Sequence, residues 1–344
     1  MLVSEARAVA RRWTETEGVL LPGFAGAFLQ GSALWAASDA EHPADSDVDV
    51  MVAVDAKPSS LPPAPGKFRY DGVLLEVSMM STNELTSAES VLSDYHLAAN
   101  LHLPGILADP TGRLTALHAE TADRFAEQHW VTARCADAMN RVHAWLSRMD
   151  PAAPLAEQVT TWLFGTGVTT HVLLVAGLRN PTVRRRYIAV RELLRDNEKL
   201  DYHEHLLHRL GAAHLSPSQV SDHVDALETV FDAAMSATAN YRFSSDITET
   251  VRPIAIDGSR NSIAAGLHRE TIFWTVATYC RCLTKLTLAG KPTEPYLTPF
   301  HTLLADLGAL TAEDRREKAD RVLADLPGLW EISLAVSENT SHLP

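Results

Sequence analysis

Cysteine is scarce in this chain and basic charge is in deficit. Only Cys135, Cys280 and Cys282 occur among 344 residues. They have no metal-site spacing, and the Cys280-Arg281-Cys282 step is too short for a zinc knuckle. They read as buried or half-buried thiols of a reducing compartment. Lys and Arg total 30 against 43 Asp and Glu, a formal charge of −13. A nucleic-acid binder carries a basic stripe that neutralises phosphates, so no nucleic-acid partner is expected. An acidic surface instead tolerates or attracts cationic small molecules, although it is also an ordinary state for a cytosolic protein. Long apolar runs are missing too: none approaches the roughly 18 residues that a membrane span needs. Ser4 to Glu17 is charged where the apolar region of a signal peptide would lie, so the expectation is a cytoplasmic protein with no membrane partner. Repeats and low-complexity tracts are absent. With 46% apolar and 21% charged residues, the balance is that of a globular protein.

What is present suggests two domains, since a chain of this length exceeds what one hydrophobic core serves. The first part, residues 1–115, reads as α/β with a small mixed sheet. Ser4 to Glu17 predicts a helix capped by Ser4, with Ala6, Val9, Ala10 and Trp13 at helical spacing. Phe24 to Gln30 predicts a buried strand, and Gly31-Ser32 a tight turn into a helix. Asp39 to Ser46 and the proline-rich Lys57 to Gly66 predict loops. Asp47 to Val54, DVDVMVAV, alternates as a strand does. Asp71-Gly72 is a strong hairpin signal, because type I′ turns need positive φ at both central residues. Ser81 to Leu101 reads as helical, and Gly105 to Ala108 as a last short strand.

The second part, residues 116–344, predicts an all-α bundle. Its expected helices are Thr115–Met149, Leu155–Leu178, Val183–Leu194, Tyr202–Leu210, Pro217–Ala239, Ile263–Leu288, Pro299–Leu307 and Ala312–Leu326, ahead of a frayed end from Ser337 to Pro344.

The chemistry concentrates between Phe28 and Met79. Side chains of a strand alternate faces, so Asp47 and Asp49 point the same way over Val48 and Val50. They offer hard oxygen ligands of the kind that Mg²⁺ shares with waters and substrate phosphates. Glu76 is a lone acid in an apolar strand, suited to complete the metal set or to act as a base. Backbone N–H groups at Gly31-Ser32, with the Ser32 hydroxyl, suit phosphate oxygens. Nucleotidyl transfer from a nucleoside triphosphate fits this combination.

Gly31-Ser32, fourteen intervening residues and Asp47-Val48-Asp49 on a strand resemble the signature of the polymerase-beta-like nucleotidyltransferase superfamily, with Glu76 in the place of its third acid. A catalytic domain followed by a helical one is most similar to the aminoglycoside (antibiotic) nucleotidyltransferases. The resemblance implies that Gly31 and Ser32 meet the phosphates of ATP, that Asp47 and Asp49 hold Mg²⁺, and that Glu76 sits near the attacking oxygen. It further implies an AMP-transferring enzyme with a small hydroxylated acceptor and a site in a cleft between the domains. The specific match spans residues 28–79, and the loop from Ser32 to Asp47 is slightly long for the family. A regulatory or protein-modifying nucleotidyltransferase and a non-catalytic nucleotide-binding module are the alternatives.

In the helical part, Arg184, Arg185 and Arg186 follow Asn180-Pro181-Thr182 and would open a helix capped by Thr182. Cations oppose the helix dipole there, which points to a nearby anion. One of the three is the candidate clamp for the triphosphate, with Lys285 as the alternative. Asp246, Glu249 and Glu270, in or beside the polar stretch Tyr241 to Ser262, are candidates to face an amino-bearing acceptor. His203, His205 and His208 do not share one helix face and read as packing residues. Trp162, Phe164, Phe273 and Trp274 read as core aromatics.

Overall fold

A computed structural model describes residues 1–340, and those divide into two compact units, 1–137 and from 138 onward. The first unit begins with α1 (Val3–Thr16), β1 (Phe24–Gln30), α2 (Gly31–Trp35), β2 (Val48–Val54), β3 (Gly66–Tyr70) and β4 (Val73–Ser81). It continues with α3 (Ala88–Ser93), α4 (Tyr95–Leu101), β5 (Ile106–Ala108), α5 (Arg113–Arg124) and the first half of α6 (Gln128–Ser147).

The strands form one mixed five-stranded sheet in the order β3-β4-β2-β1-β5. Only β2 and β4 run parallel; the other neighbours are antiparallel. Alternation places Val48, Val50, Val52 and Val54 on one face, fully buried with Ala6, Val9, Ala10 and Trp13 of α1. Each such burial is worth about 1.5–3 kcal/mol for a Val-sized side chain. The opposite face carries Phe28, Ala53 and Met80, covered by Val91, Leu101, Leu114 and Leu117 from α3 to α5.

Several boundaries differ from expectation. The cap of α1 is Leu2 rather than Ser4, its N–H donating to Glu5 at 2.7 Å. Ser81 ends β4 instead of opening a helix, and β2 starts at Val48, immediately after Asp47. The expected helix Thr115–Met149 is two helices, α5 and α6. The first unit also reaches past residue 115, because these helices are tied to it. Arg134 of α6, 1% exposed, donates to the carbonyls of Leu92 (3.2 Å) and Phe125 (2.6 Å) and lies 4.2 Å above the Phe125 ring. Arg134→Met leaves both carbonyls unsatisfied and removes the cation–π contact, so an expected loss of about 2–4 kcal/mol is to be read by urea denaturation.

The second unit contains the rest of α6, then α7 (Leu155–Ala176), α8 (Arg186–Asp196), α9 (Leu200–Leu210), α10 (Pro217–Met235), α11 (Arg252–Ala255), α12 (Asp257–Ala264), α13 (His268–Leu288), α14 (Glu294–Asp306) and α15 (Ala312–Thr340). Contrary to expectation, α7 is long and apolar enough to cross a bilayer by length and composition. It is instead the central core helix, with 83% of its most apolar window buried, packed on α13 and α15. Pro299 and Pro327 lie inside α14 and α15 rather than bounding them. Burial of Leu329, Ser333 and Val336 carries α15 onward through the expected frayed end to Thr340; residues 341–344 lie outside the described part. In the stretch Tyr241 to Ser262, the part from Arg252 onward is helical, as α11 and α12, and its cations pair with acids of α10. Arg252 bonds Asp232 at 2.7 Å and also Glu228, and Arg260 bonds Asp225 (2.8 Å) and Glu228 (2.6 Å).

Candidate active site

The sheet register builds a polar row across four strands. Gln30 of β1 pairs with Asp49 of β2, Asp49 with Glu76 of β4, and Glu76 with Lys67 of β3. The Asp71-Gly72 turn sets the last pairing: φ is 46° at Asp71 and 81° at Gly72, and the strands zip backwards from Tyr70 opposite Val73 to Lys67 opposite Glu76. Asp47 lies just before β2 and joins the same group. One carboxylate oxygen from each of Asp47, Asp49 and Glu76 falls within 4.8 Å of the others.

The Lys67 ammonium is hydrogen-bonded to both Asp47 and Glu76, with its side chain only 9% exposed. One ammonium among three carboxylates leaves a surplus of negative charge. The Asp49 carboxyl is accordingly held well above the ordinary value of 3.8. Burial is the main cause, the charges of Asp47 and Glu76 add to it, and Lys67 opposes in part. Hard oxygen donors with surplus negative charge could hold a metal ion.

Gly31 and Ser32 border this group. Gly31 has φ +67°, and a Cβ there would stand 2.1 Å from Oδ2 of Asp49, so the turn passes directly over the carboxylate. The loop ahead of β2 folds back, bringing the Ser46 hydroxyl to 3.4 Å from that of Ser32. Gly31-Ser32 therefore lies beside the acids even though α2, the helix it opens, is only five residues long.

The basic run lies in the second unit. The helix there starts at Arg186 rather than near Thr182, because Arg186 is itself a core residue. It is 1% exposed, its guanidinium lies 4.1 Å from the Phe273 ring centre and 5.4 Å from that of Phe164, and its Nε donates to Val183 O at 2.8 Å. Arg184 is half-buried and Arg185 exposed ahead of the helix. Lys285 is buried and donates to Ile247 O at 2.7 Å, so it serves to hold a chain segment.

Two of the other candidate acids have internal partners. Asp246 is bonded by Arg281 at 2.9 Å, while buried Glu270 lies 3.5 Å from Arg191 and 3.7 Å from His203. Glu249 alone of the three is exposed. The histidines do not converge: His203 is buried, His205 bonds Asp325 at 2.9 Å, and His208 lies edge-on to His214. Trp162 and Phe273 are fully buried, as core aromatics should be. Among the described residues, the Asp47, Asp49 and Glu76 trio is the group of His, Cys, Asp and Glu side chains close enough to hold a metal.

Lys67 and Ser46 carried no motif. Counting back from the two-residue turn would have found Lys67, since it places residue 67 opposite 76. No comparable local signal exists for Ser46, whose approach to Ser32 depends on the path of a loop.

Comparison with protein-family models, curated proteins and solved structures finds no match for this chain.

Proposed function

We propose that this protein is a Mg²⁺-dependent nucleotidyltransferase that moves AMP from ATP to a hydroxyl of a small, cationic acceptor and releases pyrophosphate. The observation that carries this reading is the gathering of Asp47, Asp49 and Glu76 within 4.8 Å of one another, beside a Gly-Ser turn. The resemblance of residues 28–79 to the nucleotidyltransferase signature supports it further.

Asp47 and Asp49 are the residues that would hold the metal. When bound, the metal would supply Lewis-acid polarisation and neutralise charge on the transferring phosphoryl group. The backbone at Gly31 and the Ser32 hydroxyl donate hydrogen bonds to triphosphate oxygens. Glu76 accepts the proton of the acceptor hydroxyl as its oxygen bonds to the α-phosphorus. The bond from that phosphorus to the bridging oxygen then breaks, and its electron pair leaves with pyrophosphate. The formal charge of −13 makes polyamine-like acceptors such as aminoglycosides the first class to examine.

The test is pyrophosphate release from each labelled nucleoside triphosphate with Mg²⁺ and a panel of aminoglycosides, other hydroxylated antibiotics and candidate proteins. Asp47→Asn is expected to lower turnover by about 100-fold or more, the scale of losing one charge-stabilising group. Full metal-dependent turnover in that variant would remove Asp47 from the site.

A further inference from the structure

We infer that Lys67 is the resident counter-ion of the carboxylate trio, and that a divalent metal must displace its ammonium to enter, so that this one residue sets the metal affinity of the site. The inference rests on the metal reading above and adds to it a residue on which that reading does not depend.

Three observations combine. Hairpin register fixes the Lys67 backbone opposite Glu76, so the ammonium is brought to the acids by a strand and not by a wandering loop. Its side chain is 9% exposed and bonds both Asp47, a carboxylate assigned above to the metal, and Glu76 of the same trio. β3 is also an edge strand of the sheet. The long lysine stem can therefore rotate away while the backbone ladder to β4 stays intact.

An ammonium and a divalent ion cannot share the same carboxylates without strong repulsion in a partly dehydrated site. Entry of the metal and release of Lys67 are therefore one event.

Binding of Mn²⁺ to the metal-free, full-length protein, followed by calorimetry and by the electron paramagnetic resonance of free Mn²⁺, tests the inference. Lys67→Met is expected to bind Mn²⁺ at least about tenfold more tightly than the unaltered protein, a modest fraction of the repulsion removed. Lys67→Arg keeps the charge and is expected to bind within about threefold of it. Should Lys67→Met fold poorly by circular dichroism, Lys67→Gln carries the same expectation. An independent readout needs no substitution: acylation of Lys67 by an amine-reactive ester, mapped by mass spectrometry, should rise when Mn²⁺ is added. Equal or weaker Mn²⁺ binding in Lys67→Met, or unchanged acylation, overturns the role of Lys67 and leaves the metal reading standing. Absence of Mn²⁺ binding in all variants overturns both.

Discussion

Replacing Asp49 by Asn is expected to raise the melting temperature of the metal-free protein while reducing turnover in the proposed nucleotidyl transfer by about 1000-fold or more, the upper range for losing a group that stabilises transition-state charge. The two effects have one cause. Asp49 is half-buried close to Asp47 and Glu76, so its ionised form meets both desolvation and like charge, and its carboxyl is held well above 3.8. For an acid shifted in this direction, the folded state binds more protons than the unfolded state between the unfolded and folded pKa values. Stability is therefore greatest below the unfolded value and falls as pH rises through the folded one. A neutral amide of the same shape removes that loss and can donate a hydrogen bond to Glu76.

At pH 7 without metal, the variant is expected to melt at least about 3 °C higher, the shift that roughly 1 kcal/mol produces in a domain of this size. Its melting temperature should also vary less between pH 4 and pH 7, as differential scanning fluorimetry would record. Added Mg²⁺ should raise the melting temperature of the unaltered protein, because binding to the folded state alone stabilises it, and should do little for the variant. A variant less stable than the parent at neutral pH without metal would contradict this electrostatic picture. Such a balance between stability and function is common where like charges are gathered for chemistry.

Gly31→Ala is expected to damage the same site through the backbone. At φ +67° an alanine is strained by about 1–2 kcal/mol, and its Cβ would fall 2.1 Å from Oδ2 of Asp49. Either the turn or the Asp49 side chain must move. Displacing a reacting or ligating group by even about 1 Å can cost on the order of 100-fold in rate. Turnover should therefore drop by about that factor, and Mn²⁺ should bind more weakly. Asp49→Ala in the same chain separates the two contributions. It removes the collision but not the strain, so part of the stability lost in Gly31→Ala should return in the double variant, read by a urea-denaturation cycle. Strict additivity of the two substitutions would show that Gly31 and Asp49 do not press on each other.

Much of the first unit was legible because its signals are local. The spacing of Ala6, Val9, Ala10 and Trp13 marks the buried face of α1. The alternation after Asp47 marks which residues of β2 enter the core, and Asp71-Gly72 marks a turn that few other residues could form. The second unit was legible as helical but not in its boundaries. Pro299 reads as a helix start and Pro327 as a stop, yet both lie inside helices that bury apolar residues. Tyr241 to Ser262 looked like a polar lining, yet its second half is helical and its Arg252 and Arg260 meet acids of α10. Arg186 looked like a surface cation poised for an anion, yet it is stacked on Phe164 and Phe273 inside the unit. Ion pairs and cation–π stacks join residues far apart in sequence, so periodicity holds no trace of them.

For the candidate site, the sequence alone determined the types of residue and the faces of the strands: Asp49 of β2 with Asp47 just ahead of it facing the same way, Glu76 alone in an apolar strand, Gly31-Ser32 at a turn. Those follow from the two-residue period of a strand and from the few side chains that tolerate positive φ. Tertiary structure decided that β2 and β4 lie side by side and parallel, which sets Asp49 against Glu76. It decided too that Lys67 reaches back to bond Asp47 and Glu76. Which strands become neighbours depends on how the whole chain buries its apolar faces, and local pattern does not encode that choice. The three acids and their counter-ion belong to one site because the sheet closes in the order β3-β4-β2-β1-β5.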